Sequence, residues 1–214
     1  MKNIKNLFIT CFVLAISAFS FAACSEDGMD EINYDYGHTK DCFARFILPD
    51  VLLRTSQNVV GGDFNTYLGS YVEHWAGTHN QLFKAENRDA EVRVATTFNN
   101  NWGSVFENIR NCKLVVAKCA DDSGTADAGD KCARGVGEVM LAYNLAIATD
   151  LFGDIPYAEV GDIFKYPYPS AQPQKEIYDE IFRLLDAAIS DFSDCSNSLS
   201  KYDLYYGGNP KAWT

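Results

Sequence analysis

Two short stretches of the chain carry side chains suited to holding a sugar. Each combines a tryptophan with nearby amide, hydroxyl or imidazole groups. The candidate ligand-binding residues are Trp75, Thr78, His79, Asn80, Asn101 and Trp102. Aromatic rings stack on the apolar face of a pyranose while polar side chains bond its hydroxyls, so both stretches predict ligand contacts. The alternative is that the two tryptophans only anchor helices.

The sequence gives little support for a metal site. His74 and His79 do not form an HExxH motif, and Gly77 breaks the helix between them. Residues 121–127 alternate carboxylates with hydroxyls, but the central glycine and terminal glutamate of an EF-hand are missing. We therefore predict a solvated turn and neither metal nor cofactor, with weak calcium binding in this turn as the alternative.

Catalytic motifs are also missing from the sequence. Gly135 and Gly137 lack the third glycine of a dinucleotide-binding loop and follow no strand. Asp150 and Asp154 flank a helix end and could mimic a glycosidase pair, but the sequence does not give their separation in space. There is no G-x-S-x-G motif and no Cys/His dyad. The sequence predicts a protein that is not an enzyme.

The composition is that of an acidic globular protein. Apolar residues make up 47% of the chain, and the formal net charge is −11. Phosphate contacts need clustered Lys and Arg, so this charge argues against a nucleic-acid partner. Aromatic residues reach 14%, which is compatible with a tyrosine-rich helical core or with a binding platform.

The elements that must position these residues are helices, because apolar residues recur with a helical period and strand alternation never persists. The central helix starts near Arg134 and ends before a Gly-Asp-Ile-Pro turn at 153–156. The predicted helices are 41–58 with a kink at Pro49, 63–77, 101–119, 134–152 and 173–192. Residues 78–98, 120–130, 158–172 and 193–209 are predicted loops. The fold class is all-α, built from tetratricopeptide-like helical hairpins.

The amino terminus has the pattern of an exported lipoprotein. Residues 1–23 combine early lysines with a short apolar run and end in small residues before Cys24, the predicted lipidation site. Residues 24–40 are predicted as an acidic tether, and 41–214 as the helical domain. The alternative is cleavage by an ordinary signal peptidase near Ala22, which would release a soluble secreted protein.

Five cysteines remain after the signal segment and Cys24 are set aside, so at least one stays unpaired. They are Cys42, Cys112, Cys119, Cys132 and Cys195. Cys112 and Cys119 lie two helical turns apart, about 10 Å, which is too far for a disulfide. Cys119 and Cys132 end and begin successive helices and are the candidate disulfide. The alternative is that all five remain thiols.

The chain resembles the SusD/RagB family of nutrient-binding outer-membrane lipoproteins. The resemblance covers the mature chain and depends on the order of several motifs together with the lipidation pattern. The motifs are Trp75-Ala-Gly-Thr, Asn101-Trp102-Gly103, Leu151-Phe-Gly-Asp-Ile-Pro-Tyr157, the segment 173–189 and Gly208-Asn-Pro-Lys-Ala-Trp213. Family members are longer, so the resemblance implies a SusD-like α-helical fold that is truncated after the first turn of a further helix.

The resemblance also implies a function. Such a lipoprotein is attached to the outer membrane, faces outwards, and binds a nutrient, most often an oligosaccharide. It passes this ligand to a SusC-type TonB-dependent transporter without breaking a bond. Two alternatives remain: a tetratricopeptide-like assembly lipoprotein without a small ligand, and a lipid-anchored glycosidase.

Overall fold

The computed structural model describes Met29, Asn33 and residues 41–89, 98–195 and 199–214. The predicted signal segment, Cys24 and nearly all of the acidic tether lie outside the described residues. From residue 41 onwards the described residues form seven α-helices: α1 Ala44–Arg54, α2 Asp63–Tyr71, α3 Asn80–Glu86, α4 Asn99–Lys118, α5 Lys131–Phe152, α6 Gln174–Ser193 and α7 Pro210–Trp213. A π-helix, Thr55–Val60, directly follows α1, and two short strands, β1 Ile155–Pro156 and β2 Ala171–Gln172, lie between α5 and α6. The described part of the chain is mostly helical, which confirms the predicted all-α class.

The central helix α5 is capped at both ends by its own sequence. The side chain of Asp130 accepts a hydrogen bond from the Ala133 amide at 3.0 Å, which satisfies one free donor of the first turn. At the other end Gly153 has a φ of 77°, a conformation that costs a glycine little, and the helix stops there. The Thr149 hydroxyl donates to the Gly153 carbonyl oxygen at 2.7 Å and fixes this turn.

Two glycines allow the neighbouring helices to approach α5 closely. A Cβ atom at Gly137 would lie 2.8 Å from the side chain of Val115 on α4. A Cβ atom at Gly135 would lie 2.9 Å from the ring of Phe192 on α6. These two glycines, which are not part of a dinucleotide motif, therefore serve the packing of α5 between two helices.

The helices α4, α5 and α6 form two antiparallel hairpins that share α5. Gly137, early in α5, contacts Val115 near the end of α4. Asn144, further along α5, has its side-chain oxygen 3.5 Å from the side-chain nitrogen of Asn108, near the middle of α4. On the other side Arg134 pairs with Asp191 near the end of α6. The side-chain amide of Gln174, at the start of α6, donates to the Thr149 carbonyl oxygen at 2.8 Å. The core runs along both hairpins and includes Val105, Ile109, Leu141, Leu145, Ile177 and Leu184.

The first predicted helix is in fact two kinds of helix joined end to end. The helix α1 continues unbroken through Pro49 to Arg54, and the chain then forms the π-helix. The Gly61 amide donates to the Ser56 carbonyl oxygen at 2.9 Å, the five-residue step that defines a π-helix. The change of helix type therefore falls after the proline, at Thr55.

The segment after α2 differs from the prediction. The helix ends at Tyr71 rather than near Gly77, since the His74 amide turns back to the Gly69 carbonyl oxygen at 2.8 Å and Glu73 has a positive φ of 62°. Helix α3 then forms within the predicted loop. The Gly77 amide, in the segment before α3, donates to the carboxylate of Glu86, the last residue of this helix, at 2.6 Å.

The predicted disulfide between Cys119 and Cys132 is wrong. Cys132, at the start of α5, is bonded to Cys195, just after α6, with their Cα atoms 5.0 Å apart. Cys119 is a buried free thiol, and burial raises its pKa to about 12. The prediction placed the bridge across the α4–α5 loop, whereas the end of α6 also lies beside Cys132.

Within the described residues no helix is both long and apolar enough to cross a membrane.

Candidate functional site

An open cavity beside Trp75 is the candidate binding site. It has a volume of about 350 Å³ and lies between the π-helix, α2, the turn that follows α2, and α5. Its walls include Val59, Phe64, Leu68, His74, Trp75 and Tyr143. Most of the wall is apolar, with polar groups from Asn65, His74 and the Tyr143 side chain. This combination suits a ligand that has an apolar face and a few hydroxyl groups.

The Trp75 ring is held against α2 by a glycine. A Cβ atom at Gly69 would lie 2.1 Å from the ring, so any larger residue there would push the ring away. The turn at Glu73 and His74 brings the ring back over α2 instead of letting the helix continue. Trp75 nevertheless keeps 42% of its surface exposed, which leaves ring surface for a ligand.

The other residues of the first predicted stretch have a different position. His79 precedes α3 with extended backbone, and Asn80 begins the helix with a φ of 47°. Thr78, His79 and Asn80 are all exposed, and none of them lines the cavity beside Trp75. The structure therefore places the tryptophan, but not the three polar residues after it, in the cavity wall.

Asn101 requires a correction, because its side chain is fully buried in a structural role. Its amide nitrogen donates to the carbonyl oxygens of Asn58 at 2.7 Å and Val59 at 2.8 Å, and its oxygen accepts from the Phe64 amide at 3.3 Å. Asn101 thus joins the end of the π-helix to the start of α2, and its exposed surface is 0%. These bonds use the groups that a ligand would need.

Trp102 stands behind the cavity rather than in it. Its ring centroid lies 4.4 Å from that of Phe106 and 4.9 Å from that of Phe152. Phe152 in turn lies 5.8 Å from Phe64, which lines the cavity. Trp102 is 40% exposed, so it both packs on this aromatic cluster and keeps ring surface in solvent. The predicted pair of tryptophans is therefore not brought into one cavity.

A second cavity of about 470 Å³ lies on the other side of Val60 and Tyr143, which line both cavities. Its further walls come from α5 and from the carboxyl-terminal segment, including Tyr205, Tyr206 and Trp213. These residues were not predicted as site residues. The concentration of tyrosines in the 193–209 loop was the one signal in the sequence, and it did not show which rings face a cavity.

The aromatic rings of the second cavity are held by hydrogen bonds. The Tyr205 hydroxyl donates to the Leu52 carbonyl oxygen at 2.7 Å, and the Trp213 indole donates to the Asp203 carboxylate at 2.8 Å. Burial acts to raise the pKa of Asp203, but hydrogen bonds from Trp213 and from the backbone amides of Tyr206, Gly208 and Tyr205 outweigh it and lower the pKa. The carboxylate is therefore a fixed, charged acceptor that orders this segment.

The two carboxylates considered as a glycosidase pair, Asp150 and Asp154, both accept hydrogen bonds from α6. Asp150 accepts a hydrogen bond from the Tyr178 hydroxyl. Asp154 accepts from the Gln174 amide at 2.9 Å, at the start of α6. Both aspartates therefore connect the end of α5 to the first turns of α6, and neither lines the two cavities.

The acidic 120–130 loop is ordered by its own side chains. The hydroxyls of Ser123 and Thr125 donate to the Lys118 carbonyl oxygen at 2.7 and 2.6 Å. Asp127 is buried, accepts from the Ala44 amide at 3.0 Å and lies 3.6 Å from the Lys118 ammonium. Among the described residues, no group of three or more His, Cys, Asp and Glu side chains is arranged to hold a metal ion.

Glu138 is a buried carboxylate between α5 and α6, with 5% of its surface exposed. Its Oε2 atom has no hydrogen-bond partner. Burial raises its pKa to about 7, the nearby Asp191 charge adds to the shift, and Arg134 and Arg183 oppose it. Such a shift can mark a functional site, but Glu138 lines neither cavity.

Helical hairpins with two partly aromatic cavities define the class of protein that the described residues form, a helical binding scaffold. A family model described as "Starch-binding associating with outer membrane" matches residues 45–214. The chain belongs to this SusD-like family, whose members are binding proteins that associate with the outer membrane. A comparison with curated proteins gave no match.

A solved structure gives the same assignment. The chain is similar to a SusD/RagB family protein from Bacteroides thetaiotaomicron, with 35% sequence identity and a TM-score of 0.74. The similarity covers 81% of this chain and 35% of that protein. The chain therefore spans about a third of the length of this relative.

Proposed function

We propose that the protein is a lipid-anchored receptor on the outer face of the outer membrane, which binds an oligosaccharide and delivers it to a SusC-type TonB-dependent transporter. The anchor would be an acylated Cys24, and the delivery would not break a bond. The family match over residues 45–214 is the observation that carries this proposal.

The cavity beside Trp75 supports the binding step. Its volume of about 350 Å³ has room for a sugar ring, and the partly exposed Trp75 ring offers a stacking surface at its edge. The imidazole of His74 and the hydroxyl of Tyr143 belong to the same wall and are able to bond sugar hydroxyls. Thr78, His79, Asn80 and Trp102 remain candidate contacts for parts of a longer ligand that extend outside the cavity.

Isothermal titration against a panel of oligosaccharides tests the binding step. Trp75→Ala is expected to weaken binding about tenfold or more, because a stacked ring contributes about 1.4 kcal/mol and each 1.4 kcal/mol is tenfold in Kd. Phe83→Ala is a matched control, since Phe83 is a 54% exposed aromatic that does not line the cavity. If a glycan saturates both proteins and binds the wild type and Trp75→Ala with equal affinity, the cavity beside Trp75 is excluded as its binding site. Failure of every glycan to bind would favour the assembly alternative.

The anchor and the partner need separate tests. Mass spectrometry of the protein isolated from membranes is expected to show acyl chains on Cys24, and Cys24→Ala is expected to leave the membrane fraction. Co-purification of the acylated protein with the TonB-dependent barrel of the same cells tests delivery. A soluble protein with an unmodified terminus would support the alternative of a secreted protein. Release of reducing sugar from a bound glycan would support the glycosidase alternative.

A further inference from the structure

The most exposed large apolar side chains of the described chain lie close together in the loop between β1 and β2. Phe164 is 97% exposed, Tyr168 is 92% exposed and Ile163 is 68% exposed. We call residues 162–169 the hairpin tip. Folding buries such side chains where it can, so three of them projecting from one short loop indicate a surface that meets something else.

The base of this loop is fixed to the helical scaffold. The strands pair in antiparallel register, with Ile155 opposite Gln172. The Lys113 ammonium, on α4, donates to the carbonyl oxygens of Tyr157, Ala158 and Val160 at 3.0, 3.0 and 2.6 Å. Three charge-assisted bonds from one ammonium hold the chain just where it leaves the scaffold.

Hydrogen bonds also fix the backbone nearer the hairpin tip. Asp162 accepts the Lys165 amide on its side chain at 3.0 Å and the Tyr166 amide on its backbone carbonyl at 2.8 Å. Across the loop the Ser170 amide donates to the Glu159 carboxylate at 2.6 Å. The exposed rings therefore stand on a hydrogen-bonded turn, and little backbone conformational entropy remains to be lost when they are buried.

The side chains of the hairpin tip match the chemistry of a membrane interface. Phe164 and Ile163 are apolar, while Tyr168 has an apolar ring with a polar end. The ammonium of Lys165 lies 4.9 Å from the centroid of the Tyr166 ring. Tyrosine and lysine side chains place their apolar parts in the lipid and their polar ends at the headgroups, and aromatic residues concentrate at that depth.

Two other kinds of partner fit less well. A sugar site needs polar groups converging beside a ring in a concave surface, and none of the exposed tip residues lines either cavity described above. A protein partner would have to present an apolar groove that covers these side chains, whereas the Lys165 ammonium beside them suits the polar headgroups of a lipid surface. The matching family model, in contrast, is described as associating with the outer membrane.

We propose that the hairpin tip inserts into the surface of the lipid bilayer, with Phe164, Ile163 and Tyr168 as the inserted side chains. This contact is separate from ligand binding at the Trp75 cavity. It would hold the scaffold in a defined orientation on the membrane, which an acyl anchor on a tether does not do by itself.

Tryptophan fluorescence in vesicles tests the insertion. The full acylated chain carrying Phe164→Trp is placed in vesicles of phosphatidylcholine and phosphatidylglycerol with brominated acyl chains, which quench tryptophan on contact. The matched control is Phe182→Trp, at an aromatic on α6 that is 62% exposed. After subtraction of the parent emission, a blue shift and quenching are expected for Phe164→Trp and not for the control. Equal quenching of both variants, or of neither, would overturn the proposal.

The strength of the contact is tested by transfer between vesicles. A double variant, Phe164→Ala with Tyr168→Ala, is expected to leave donor vesicles about tenfold faster or more, because two inserted rings are lost. Transfer at the parent rate would overturn the proposal. A blue shift of Phe164→Trp that requires added transporter or added glycan, without quenching by the lipid, would also overturn the proposal. The hairpin tip would then contact a protein or a sugar. Glycan titration of the same variants is expected to be unchanged, so a failed membrane contact can be told apart from a failed binding function.

Discussion

Replacing Glu138 with glutamine is expected to change how the stability of the protein depends on pH. Glu138 is almost fully buried between α5 and α6, and its Oε2 atom has no hydrogen-bond partner. Its two basic neighbours are already engaged. Arg134 bonds the Asp191 carboxylate, and Arg183 bonds the Glu180 carboxylate at 2.7 Å. The charged form of Glu138 is therefore poorly solvated, which explains why its pKa is raised to about 7.

The sign of the effect follows from proton binding in the two states. An unfolded Glu138 side chain has its ordinary pKa of 4.5, so between that value and about 7 the folded protein binds a proton that the unfolded chain has lost. The free energy of unfolding therefore falls as pH rises through this window. This rise of the pKa from 4.5 to about 7 corresponds to a loss of up to about 3.4 kcal/mol, at about 1.36 kcal/mol for each pKa unit. Glutamine does not titrate, so Glu138→Gln removes this loss.

Urea unfolding at about pH 5 and about pH 8, at constant ionic strength, measures the difference. The free energy of unfolding of Glu138→Gln is expected to exceed that of the wild type by up to about 3.4 kcal/mol at the higher pH and to approach it at the lower pH. Glu176→Gln, at an exposed position in the first turn of α6, is the control and is expected to keep the wild-type pH dependence. A difference between Glu138→Gln and the wild type that is the same at both pH values would refute the reasoning.

Three further substitutions test the packing and the site. Cys132→Ser removes the disulfide between α5 and the end of α6, which closes a loop with a sequence separation of 63. It is expected to lower the free energy of unfolding in urea by about 4 kcal/mol. Equal stability of wild type and variant under oxidising conditions would contradict the bond. Asn101→Ala leaves three backbone groups without partners and is expected to cost about 3 kcal/mol, measured by thermal unfolding, while glycan binding per folded molecule stays unchanged. Gly69→Ala is expected to displace Trp75 and to weaken glycan binding as much as removal of the ring does, whereas Gly103→Ala, where a Cβ atom meets nothing within 4 Å, should bind normally.

The helices were predictable because their signals are local. The apolar spacing of α4, α5 and α6 identified them within a few residues, and Gly153 and Pro173 marked two of their boundaries. The helix α3 and the end of α2 were missed because they depend on the Gly69, His74 and Glu86 contacts across a turn. The strands β1 and β2 have two residues each, which is too short to show any alternation.

The site was only partly predictable because sequence shows residue types and not directions. Trp75 does line a cavity, but Asn101 points inward and holds the backbone instead. The second cavity joins Tyr143 to Tyr205 and Trp213, residues that are far apart in the chain. The disulfide partner of Cys132 depended on the packing of α6, and spacing alone pointed to the nearer Cys119.

The π-helix has a consequence for how this scaffold could change. Deletion of one residue between Thr55 and Val60 would let α1 continue as a regular α-helix. The side chains of this segment that follow the deletion would then rotate by about 100° around the helix axis. Val60, which now separates the two cavities together with Tyr143, would leave that partition. Loss of a single codon in this segment would therefore reshape the wall that the two cavities share, while Tyr143, on α5, stays in place.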